Sequence, residues 1–446
     1  MIKKNMTRRK FIATASAGTI ATAAVGIGAY GNINKKTGKL ALLGGQPVRT
    51  KGFPRWPDPD EKTVKSMVDT TKSGIWCRIQ SKSGTVPTFE KKFAELIGVK
   101  YCVATGSGTQ ALHTALASLG VDGGDEVLVP PYTDPGSIAA IFVCPALPVI
   151  IDIDPESFQI DPDKIEERIN ENTKAIMPVH IMGQPADMDR IMNIAKKHNL
   201  KVVEDSCQAH LAEYRGKKCG TIGELGCFSF QASKVLACGE GGAVIGNDED
   251  IMDKCYTFQN HGTSRRGITE VGAPKYRMNE FEAAALLPQL ETLEEMSVRR
   301  NENAVYLTSK LKDIPGINPQ KLYDGTTRGT YYKYGFIYKK EHFNNIERSK
   351  FLRALSAEGI SCSGYINFRL DKEPWIENEL NSNTFRKLYS KERLQKYREE
   401  NYCPNNNQIC DEMVVFSQNQ LLGPKEDMDD IANAISKIYD NRAQLA

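Results

Sequence analysis

From about residue 95, the pattern of apolar and polar positions along most of the chain switches repeatedly between strand-like runs and helix-like stretches. Short runs rich in β-branched and aromatic residues, typical of buried strands, are separated by stretches whose apolar residues recur every three or four positions, typical of amphipathic helices. Such alternation predicts a mainly parallel sheet covered by helices on both faces. Seven strands are predicted over residues 99–104, 126–129, 148–153, 175–179, 201–204, 227–230 and 243–245, with helices over 109–119 and 187–197 among them.

The pattern changes near residue 290. Residues 286–311 predict one long amphipathic helix that bridges two lobes. Beyond it, the sequence predicts a strand over residues 331–338 and helices over 347–358 and 427–439. We therefore expect a large α/β domain over residues 37–290 and a smaller α+β C-terminal domain over residues 291–446. The polar stretch 368–406 has weak periodicity, and no element is predicted there.

The composition excludes some functions. The 446 residues carry 58 basic and 55 acidic side chains, a net charge of +3, so no basic surface for nucleic acid is expected. The eleven cysteines are odd in number and scattered, and no pair has the close spacing of a zinc knuckle or a redox motif. We expect buried thiols, folding in a reducing compartment, no metal, and no membrane span after the N-terminal segment.

The N-terminal segment, residues 1–36, is interpreted separately from the fold. Arg8 and Arg9 precede a mildly apolar stretch rich in Ala, Gly and Thr that runs to about Ala29, which resembles a twin-arginine export signal. That route carries folded proteins, so it is compatible with reduced cysteines. We expect an exported, periplasmic protein; the alternative is a cytoplasmic protein with a basic tail.

The first candidate site is the segment 105–111, TGSGTQA, between a predicted strand and a predicted helix. Its glycines allow close backbone approach, and free amides at a helix start favour a phosphate. A plain strand-to-helix turn and a dinucleotide-binding turn, with Asp125 near the expected distance, are the alternatives. A ribose-binding acid should close its strand whereas Asp125 opens one, which counts against a nicotinamide enzyme.

The second candidate site is the end of the strand predicted over residues 201–204, where Glu204 and Asp205 follow an apolar run. Ligands of open α/β sheets bind at the carboxyl ends of the strands. A carboxylate there can pair with a protonated pyridine nitrogen. Strand alternation sends the two acids to opposite faces, and Asp205, nearer the strand end, is the candidate. The alternative role for Asp205 is a helix cap.

The third candidate site is Lys234, at the end of the segment 227–234, CFSFQASK, which is followed by GEGG at residues 239–242. A lysine in a polar turn after a buried strand can attack an aldehyde and form a Schiff base. Most lysines are solvated surface groups, so Lys234 alone indicates little. A phosphate site, an acid and a lysine, each at a strand end, together indicate a cofactor site.

These motifs resemble the DegT/DnrJ/StrS-type sugar aminotransferase family of pyridoxal-phosphate enzymes. The likeness is strong over residues 74–299 and weaker beyond. It implies an aspartate-aminotransferase-like fold, called fold type I, with a seven-stranded large domain, and a homodimer in which each site is completed by the neighbouring subunit. The motifs are Gly108-Thr109, Gly124-Asp125-Glu126-Val127, Pro178-Val179-His180 with Gly183, Asp205 with Gln208, Ser229-Phe230 with Lys234, and Gly239-Glu240-Gly241-Gly242.

The resemblance also implies roles for individual residues. Lys234 would hold pyridoxal phosphate as a Schiff base and move the proton during transfer. Relatives that dehydrate sugars carry histidine at the position of Lys234, so transamination is favoured. The other implied cofactor contacts are the ring nitrogen for Asp205, the ring hydroxyl for Gln208, and the phosphate for Gly108, Thr109 and Ser229.

Two positions depart from the family pattern. The family usually stacks an aromatic side chain on the cofactor from the residue after Thr133, where this chain has Asp134. Stacking would then come from Tyr132 or be lost. The family also usually presents an asparagine from the partner subunit where this chain has Lys275, a point charge that can still reach a phosphate.

The substrate expected from the sequence is a keto-sugar or a keto-cyclitol. The segment 418–428 is similar to the branch that acts on keto-inositols, and export would favour a substrate without a nucleotide. The expected amino donor is glutamate or glutamine. An NAD-dependent oxidoreductase, which would not require Lys234, and a non-catalytic relative that binds pyridoxal phosphate remain the alternatives.

Overall fold

Three sheets occur in the part of the chain that the computed structural model describes, residues 38–367, 369 and 373–445. The predicted export signal lies outside these residues. The strands in chain order are β1 Tyr101–Thr105, β2 Glu126–Val129, β3 Leu147–Ile150, β4 Thr173–Ile176, β5 Lys201–Asp205, β6 Glu213–Tyr214, β7 Lys217–Lys218, β8 Leu225–Ser229, β9 Gly242–Gly246, β10 Ile317–Pro319, β11 Thr326–Arg328, β12 Lys333–Tyr338 and β13 Met413–Ser417.

The largest sheet has seven strands in the order β1-β9-β8-β5-β4-β2-β3. Only β9 runs against its neighbours, pairing antiparallel with both β1 and β8. The mainly parallel seven-stranded sheet predicted from the sequence is therefore confirmed, and each of the seven predicted strands overlaps an observed one. All residues of β2, β3, β8 and β9 are buried, which is why these strands read as continuous apolar runs rather than as alternating ones.

Helices pack on both faces of this sheet. Along β1, Val103 joins one apolar cluster with Leu112 and Leu116, whereas Ala104 joins another with Phe89. The helices are α1 Glu61–Ser73, α2 Thr85–Ile97, α3 Gly108–Ser118, α4 Pro135–Val143, α5 Met188–His198, α6 Glu249–Gln259, α7 Glu280–Leu311, α8 Arg348–Ala357, α9 Pro374–Leu380, α10 Asn383–Leu388, α11 Lys391–Glu400, α12 Pro404–Glu412 and α13 Lys425–Asp440. Among the described helices, none is long and apolar enough to cross a membrane.

The long helix α7 begins six residues before the predicted start at 286. Asn279 forms a capping box, accepting from the amides of Phe281 and Glu282 while the Glu282 carboxylate accepts from the Asn279 amide. The helix runs through residue 290 without a break, so the division between residues 37–290 and 291–446 remains a prediction. Past α7, strands β10, β12 and β13 form an antiparallel sheet that packs on α13 in a separate apolar cluster.

Four helices, α9 to α12, occupy much of the polar stretch for which the sequence predicts no element. Distant parts of the chain hold them. The Arg393 guanidinium binds the fully buried Glu126 carboxylate at the start of β2 at 2.6 Å, and the rings of Trp375 and Phe385 pack edge-on against Phe142. Helices that are held by contacts with distant residues do not need a strong hydrophobic periodicity of their own, which is why the periodicity of this segment is weak.

Candidate active site

A cavity of about 350 Å³ opens at the carboxyl ends of the parallel strands. Strands β1, β5 and β8 end at the same edge of the sheet, and each is followed by residues that line this cavity. The structure brings together every site residue predicted from the sequence, including those that are distant along the chain. These lining residues are Gly108, Thr109, Asp205, Gln208, Ser229 and Lys234.

The first turn of α3 forms one wall of the cavity. Ser107 caps the helix by accepting from the Gln110 amide at 3.2 Å, and Gly108 and Thr109 follow it. A Cβ atom on Gly108 would lie 2.7 Å from Cβ of Ser229 and 2.9 Å from Sγ of Cys207. Only glycine therefore lets the helix start lie against the end of β8, where backbone amides and a serine hydroxyl can surround a phosphate.

Gly108→Ala is expected to lower the affinity for pyridoxal phosphate about tenfold or more, because the added methyl group pushes the helix start away from β8. Titration of the purified protein with the cofactor, followed by absorbance, measures the affinity. Gly52→Ala is the matched control, since a Cβ atom there meets nothing within 4 Å. Equal affinities of the two variants would contradict the close packing as the reason for glycine.

The Asp205 carboxylate is 3% exposed and is oriented by two hydrogen bonds. Its Oδ2 accepts from the Ser137 hydroxyl at 2.6 Å, and its Oδ1 accepts from the Cys207 amide at 3.1 Å. Because Ser137 donates its single hydroxyl hydrogen to Asp205, it must accept from the Thr133 hydroxyl, 2.7 Å away. The acid is thus fixed at the cavity wall, with both of its oxygens accepting hydrogen bonds.

Glu204, the competing acid, points to the opposite side of β5 from Asp205, as strand alternation requires. Its side chain is fully buried and does not line the cavity. It therefore has a structural role. The Glu204 carboxylate accepts four hydrogen bonds, from the amides of Gly220, Ile222 and Gly223 at 2.7, 2.6 and 2.7 Å, and from Nε2 of His180 at 2.9 Å.

His180, Glu204 and Cys219 form the one group of three potential metal ligands found among the described residues. Nδ1 of His180 accepts from the Ala186 amide at 3.0 Å, so Nδ1 carries no proton and the ring proton is on Nε2. That proton is donated to Glu204, which leaves Nε2 without a free lone pair for a metal. His180 and Glu204 therefore form a hydrogen-bonded brace between β5 and the loop before β8, and Cys219 lies beside them.

Glu204→Gln is expected to lower the free energy of unfolding by about 3 kcal/mol, because a neutral amide replaces a buried anion that accepts three backbone hydrogen bonds. Chemical denaturation of the purified protein measures this loss. Glu295→Gln, at a side chain that is 72% exposed, is the control and should stay within about 0.5 kcal/mol of the wild type. Similar stabilities of both variants would contradict the bracing role.

Lys234 lies in the turn between β8 and β9 and is half-buried. Its Nζ is 4.3 Å from the ring centroid of Tyr332, whose hydroxyl is 2.7 Å from Oγ of Ser233. The backbone carbonyl of Lys234 accepts from Nε1 of Trp56 at 2.9 Å. Two residues from distant parts of the chain thus hold the lysine, one through its side chain and one through its backbone.

Sequence reasoning missed Tyr332 and Trp56. Tyr332 lines the cavity although it belongs to a segment predicted as a core strand, residues 331–338. The one available signal was a pair of consecutive tyrosines at the start of that segment, which cannot both face the core of a strand. Trp56 lies between predicted elements, so no periodicity marked it.

Cys207, which lines the cavity, and His210, which does not, are both neutral at physiological pH. Burial and the nearby Asp205 carboxylate raise the pKa of the Cys207 thiol well above its usual value. Burial, with the positive charge of Lys234, lowers the pKa of His210 to about 3. Neither group is therefore a charged competitor of Lys234 or Asp205, and a thiol nucleophile at Cys207 is disfavoured.

Of the two residues that depart from the family pattern, Asp134 lines the cavity and Lys275 does not. Asp134 lines the cavity and caps α4 through a hydrogen bond from the Gly136 amide to Oδ1 at 2.9 Å. Tyr132 does not line the cavity: it is fully buried between the rings of Phe158 and Tyr365. Tyr132 therefore cannot supply the missing stacking ring in this conformation. Lys275 is exposed and lies outside the cavity walls of the single chain.

The comparisons with known proteins agree in one assignment. The model of the DegT/DnrJ/EryC1/StrS aminotransferase family matches residues 57–436. The L-glutamine:scyllo-inosose aminotransferase of Streptomyces griseus is 34% identical over 429 residues, which cover 91% of this chain and 99% of that protein. The L-glutamine:2-deoxy-scyllo-inosose aminotransferase of Streptoalloteichus tenebrarius is 33% identical over 428 residues, with coverages of 91% and 99%. The crystal structure of 3-amino-5-hydroxybenzoic acid synthase matches with a TM-score of 0.75 at 28% identity, covering 89% of this chain and 100% of that chain.

The fold and these relatives define a pyridoxal-phosphate-dependent aminotransferase of fold type I. The chain belongs to the DegT/DnrJ/EryC1/StrS aminotransferase family. The predicted family, fold class, cofactor and enzyme class are confirmed, and the nicotinamide oxidoreductase is excluded. The cavity fits the cofactor, because it combines a glycine-based cradle at Gly108, a buried acid at Asp205 and a lysine amine.

Proposed function

We propose that this chain transfers the amino group of L-glutamine to a keto-cyclitol of the inosose type. The observation that carries the proposal is the similarity, along 91% of this chain, to aminotransferases whose names give L-glutamine as donor and an inosose as acceptor. The polar cavity wall supports it, since a ring bearing many hydroxyls needs donors and acceptors on several sides. The polar side chains of that wall include Asp134, Gln231, Ser233 and Glu240.

In this proposal Lys234 is the catalytic residue. Lys234 would hold the cofactor through its Nζ, and during transfer the free Nζ would move a proton between the substrate carbon and the cofactor. The bound cofactor supplies an electron sink for the negative charge that develops on this carbon. The Tyr332 ring, 4.3 Å from Nζ, limits where the released amine can move.

The remaining cavity residues bind and orient the cofactor. Asp205 would keep the ring nitrogen protonated, and the hydrogen bond from the Ser137 hydroxyl fixes the direction of the acid. Gln208 would bind the ring hydroxyl through its side-chain amide, whose Oε1 accepts from the Met182 amide at 2.7 Å. The amides of Gly108 and Thr109 and the hydroxyl of Ser229 would bind the phosphate. These three line the cavity together.

The direct test of the substrate is product detection by mass spectrometry. With pyridoxal phosphate, L-glutamine and scyllo-inosose, the purified protein should form an aminocyclitol. A nucleotide-linked keto-sugar in place of the inosose should give no product. Product only with the nucleotide-linked sugar would overturn the proposed acceptor while leaving the aminotransferase assignment intact.

We infer that the enzyme is a homodimer in which Lys275 reaches the partner's site. Exposed apolar side chains support this, since such surface usually marks an interface. Trp76 and Ile79 are 52% and 59% exposed, Ile268 is 58% exposed, and the backbone at Cys77 pairs with Asn279, close to Lys275 in the chain.

Light scattering should give twice the mass of one chain, and the double variant Ile79→Asp with Ile268→Asp should give a single-chain mass. A wild-type mass of one chain would refute the dimer.

We also propose export through the twin-arginine route, supported by the arginine pair and the mildly apolar stretch after it. Cell fractionation should find the protein outside the cytoplasm. The variant with both Arg8 and Arg9 replaced by lysine should remain inside. Retention of both proteins in the cytoplasm would refute export without affecting the proposed reaction.

A further inference from the structure

Arg300, on α7, is a fully buried cation with no anionic partner among the described residues. Its Nε donates to Oε1 of Gln418 at 2.9 Å, whereas Nη1 and Nη2 have no hydrogen-bond partner. No described carboxylate forms an ion pair with it. Burial lowers the pKa of Arg300 to about 9, so the guanidinium is still positively charged at neutral pH. A buried charge without a counter-charge is strongly unfavourable.

Other polar groups beside Arg300 are also buried without partners. Nε2 of Gln418 lacks an acceptor, and so does the hydroxyl of Ser297, which precedes Arg300 by one helical turn and shares its face of α7. His210 provides no compensating charge, because burial, together with the positive charges of Lys234 and Arg300, lowers its pKa to about 3. The unpartnered groups of Arg300 and Gln418 are N–H donors, so their missing partner has to be an acceptor.

We propose that Arg300, Gln418 and Ser297 bind a small monovalent anion of the size of chloride. One positive charge calls for one negative charge, and full burial of the guanidinium limits the ligand to a small ion. A water molecule would accept from one or two donors and leave the charge uncompensated. Arg300 does not line the cofactor cavity, so this site is separate from the proposed phosphate contacts.

The proposed anion site is connected through Trp56 to the segment that carries Lys234. The Trp56 ring centroid is 5.9 Å from Cζ of Arg300, and Nε1 of the same side chain donates to the Lys234 carbonyl at 2.9 Å. A bound anion would therefore fix the Arg300 guanidinium in the position in which it contacts the Trp56 ring. We assign it a structural role, which is independent of the substrate proposal.

The test uses bromide as a chloride substitute. Crystals of the full chain grown in sodium bromide, measured at the bromine absorption edge, should show an anomalous peak within hydrogen-bond distance of the Arg300 guanidinium. Arg300→Met should lose this peak, and Arg299→Met, at an exposed neighbour, should keep it. A wild-type crystal with no anomalous peak at Arg300, or with water alone there, would overturn the proposal even if Arg300→Met failed to fold.

A solution measurement adds an independent readout. At constant ionic strength, replacing gluconate by chloride should raise the unfolding temperature of the wild type by about 2–4 °C. The shift should disappear in Arg300→Met and remain in Arg299→Met. A second variant, Gln418→Met, removes one donor and keeps the charge, so it should need more chloride for the same shift. Equal chloride responses of Arg299→Met and Arg300→Met would refute the site.

Discussion

Lys234→Ala is expected to abolish the visible absorbance that the wild type shows with pyridoxal phosphate, and to lower the rate of amino transfer about 10³-fold or more. The reason is that Lys234 is the only lysine among the described residues of the single chain that line the cavity. Without its Nζ, the cofactor loses its covalent link and the substrate carbon loses its base. Absorbance spectra and initial rates of product formation measure both effects.

The matched control for this variant is Lys333→Ala. Lys333 lies nearby, with Nζ 5.2 Å from the Tyr332 ring, but its amine donates to Oγ of Ser417 at 3.0 Å and it does not line the cavity. The control should keep the absorbance band and most of the rate. If Lys333→Ala lost the band and Lys234→Ala kept it, the assignment of the catalytic lysine would be wrong.

Asp205→Asn is expected to lower the rate of amino transfer roughly 100-fold, because a neutral amide cannot keep the ring nitrogen protonated. The shape of the side chain is conserved, so the hydrogen bond with Ser137 can persist and the fold should be unchanged. The rate of the reaction with glutamine alone, which needs no second substrate, measures the loss. The unfolding temperature should stay close to that of the wild type.

Asp134→Asn provides the control, because it makes the same substitution at another acid of the same cavity. Asp134 caps α4, and asparagine is an equally good helix cap. Its rate should therefore remain within about tenfold of the wild type. Comparable losses in the two variants would mean that the negative charge of the cavity, and not the placement of Asp205, determines the rate.

The central sheet is predictable from the sequence because strands that are buried on both faces consist of consecutive apolar residues. Strand β2 has four buried residues and no competing pattern, and its predicted bounds at residues 126–129 agree with the structure. The site residues were predictable for the same reason: Asp205 and Ser229 are polar residues at the ends of apolar runs. Parallel strands then bring such ends together at one edge.

Other features depend on contacts that no local pattern records. Helix α11 is placed by the ion pair of Arg393 with Glu126, residues far apart in the chain. Trp56 and Tyr332 hold Lys234 from two other regions, and neither has a motif. The role of Glu204 could be derived in part from strand alternation, but its amide partners in the loop after residue 219 could not, because loop geometry depends on the packing around it.

The most direct test of the central claim is the absorbance of the cofactor-loaded protein during the two half-reactions. L-glutamine should remove the visible band as the amino group moves to the cofactor, and scyllo-inosose should then restore the band as the group moves on. Neither change should occur in Lys234→Ala. A band that does not respond to glutamine would contradict the account and would identify a protein that binds the cofactor without transferring amino groups.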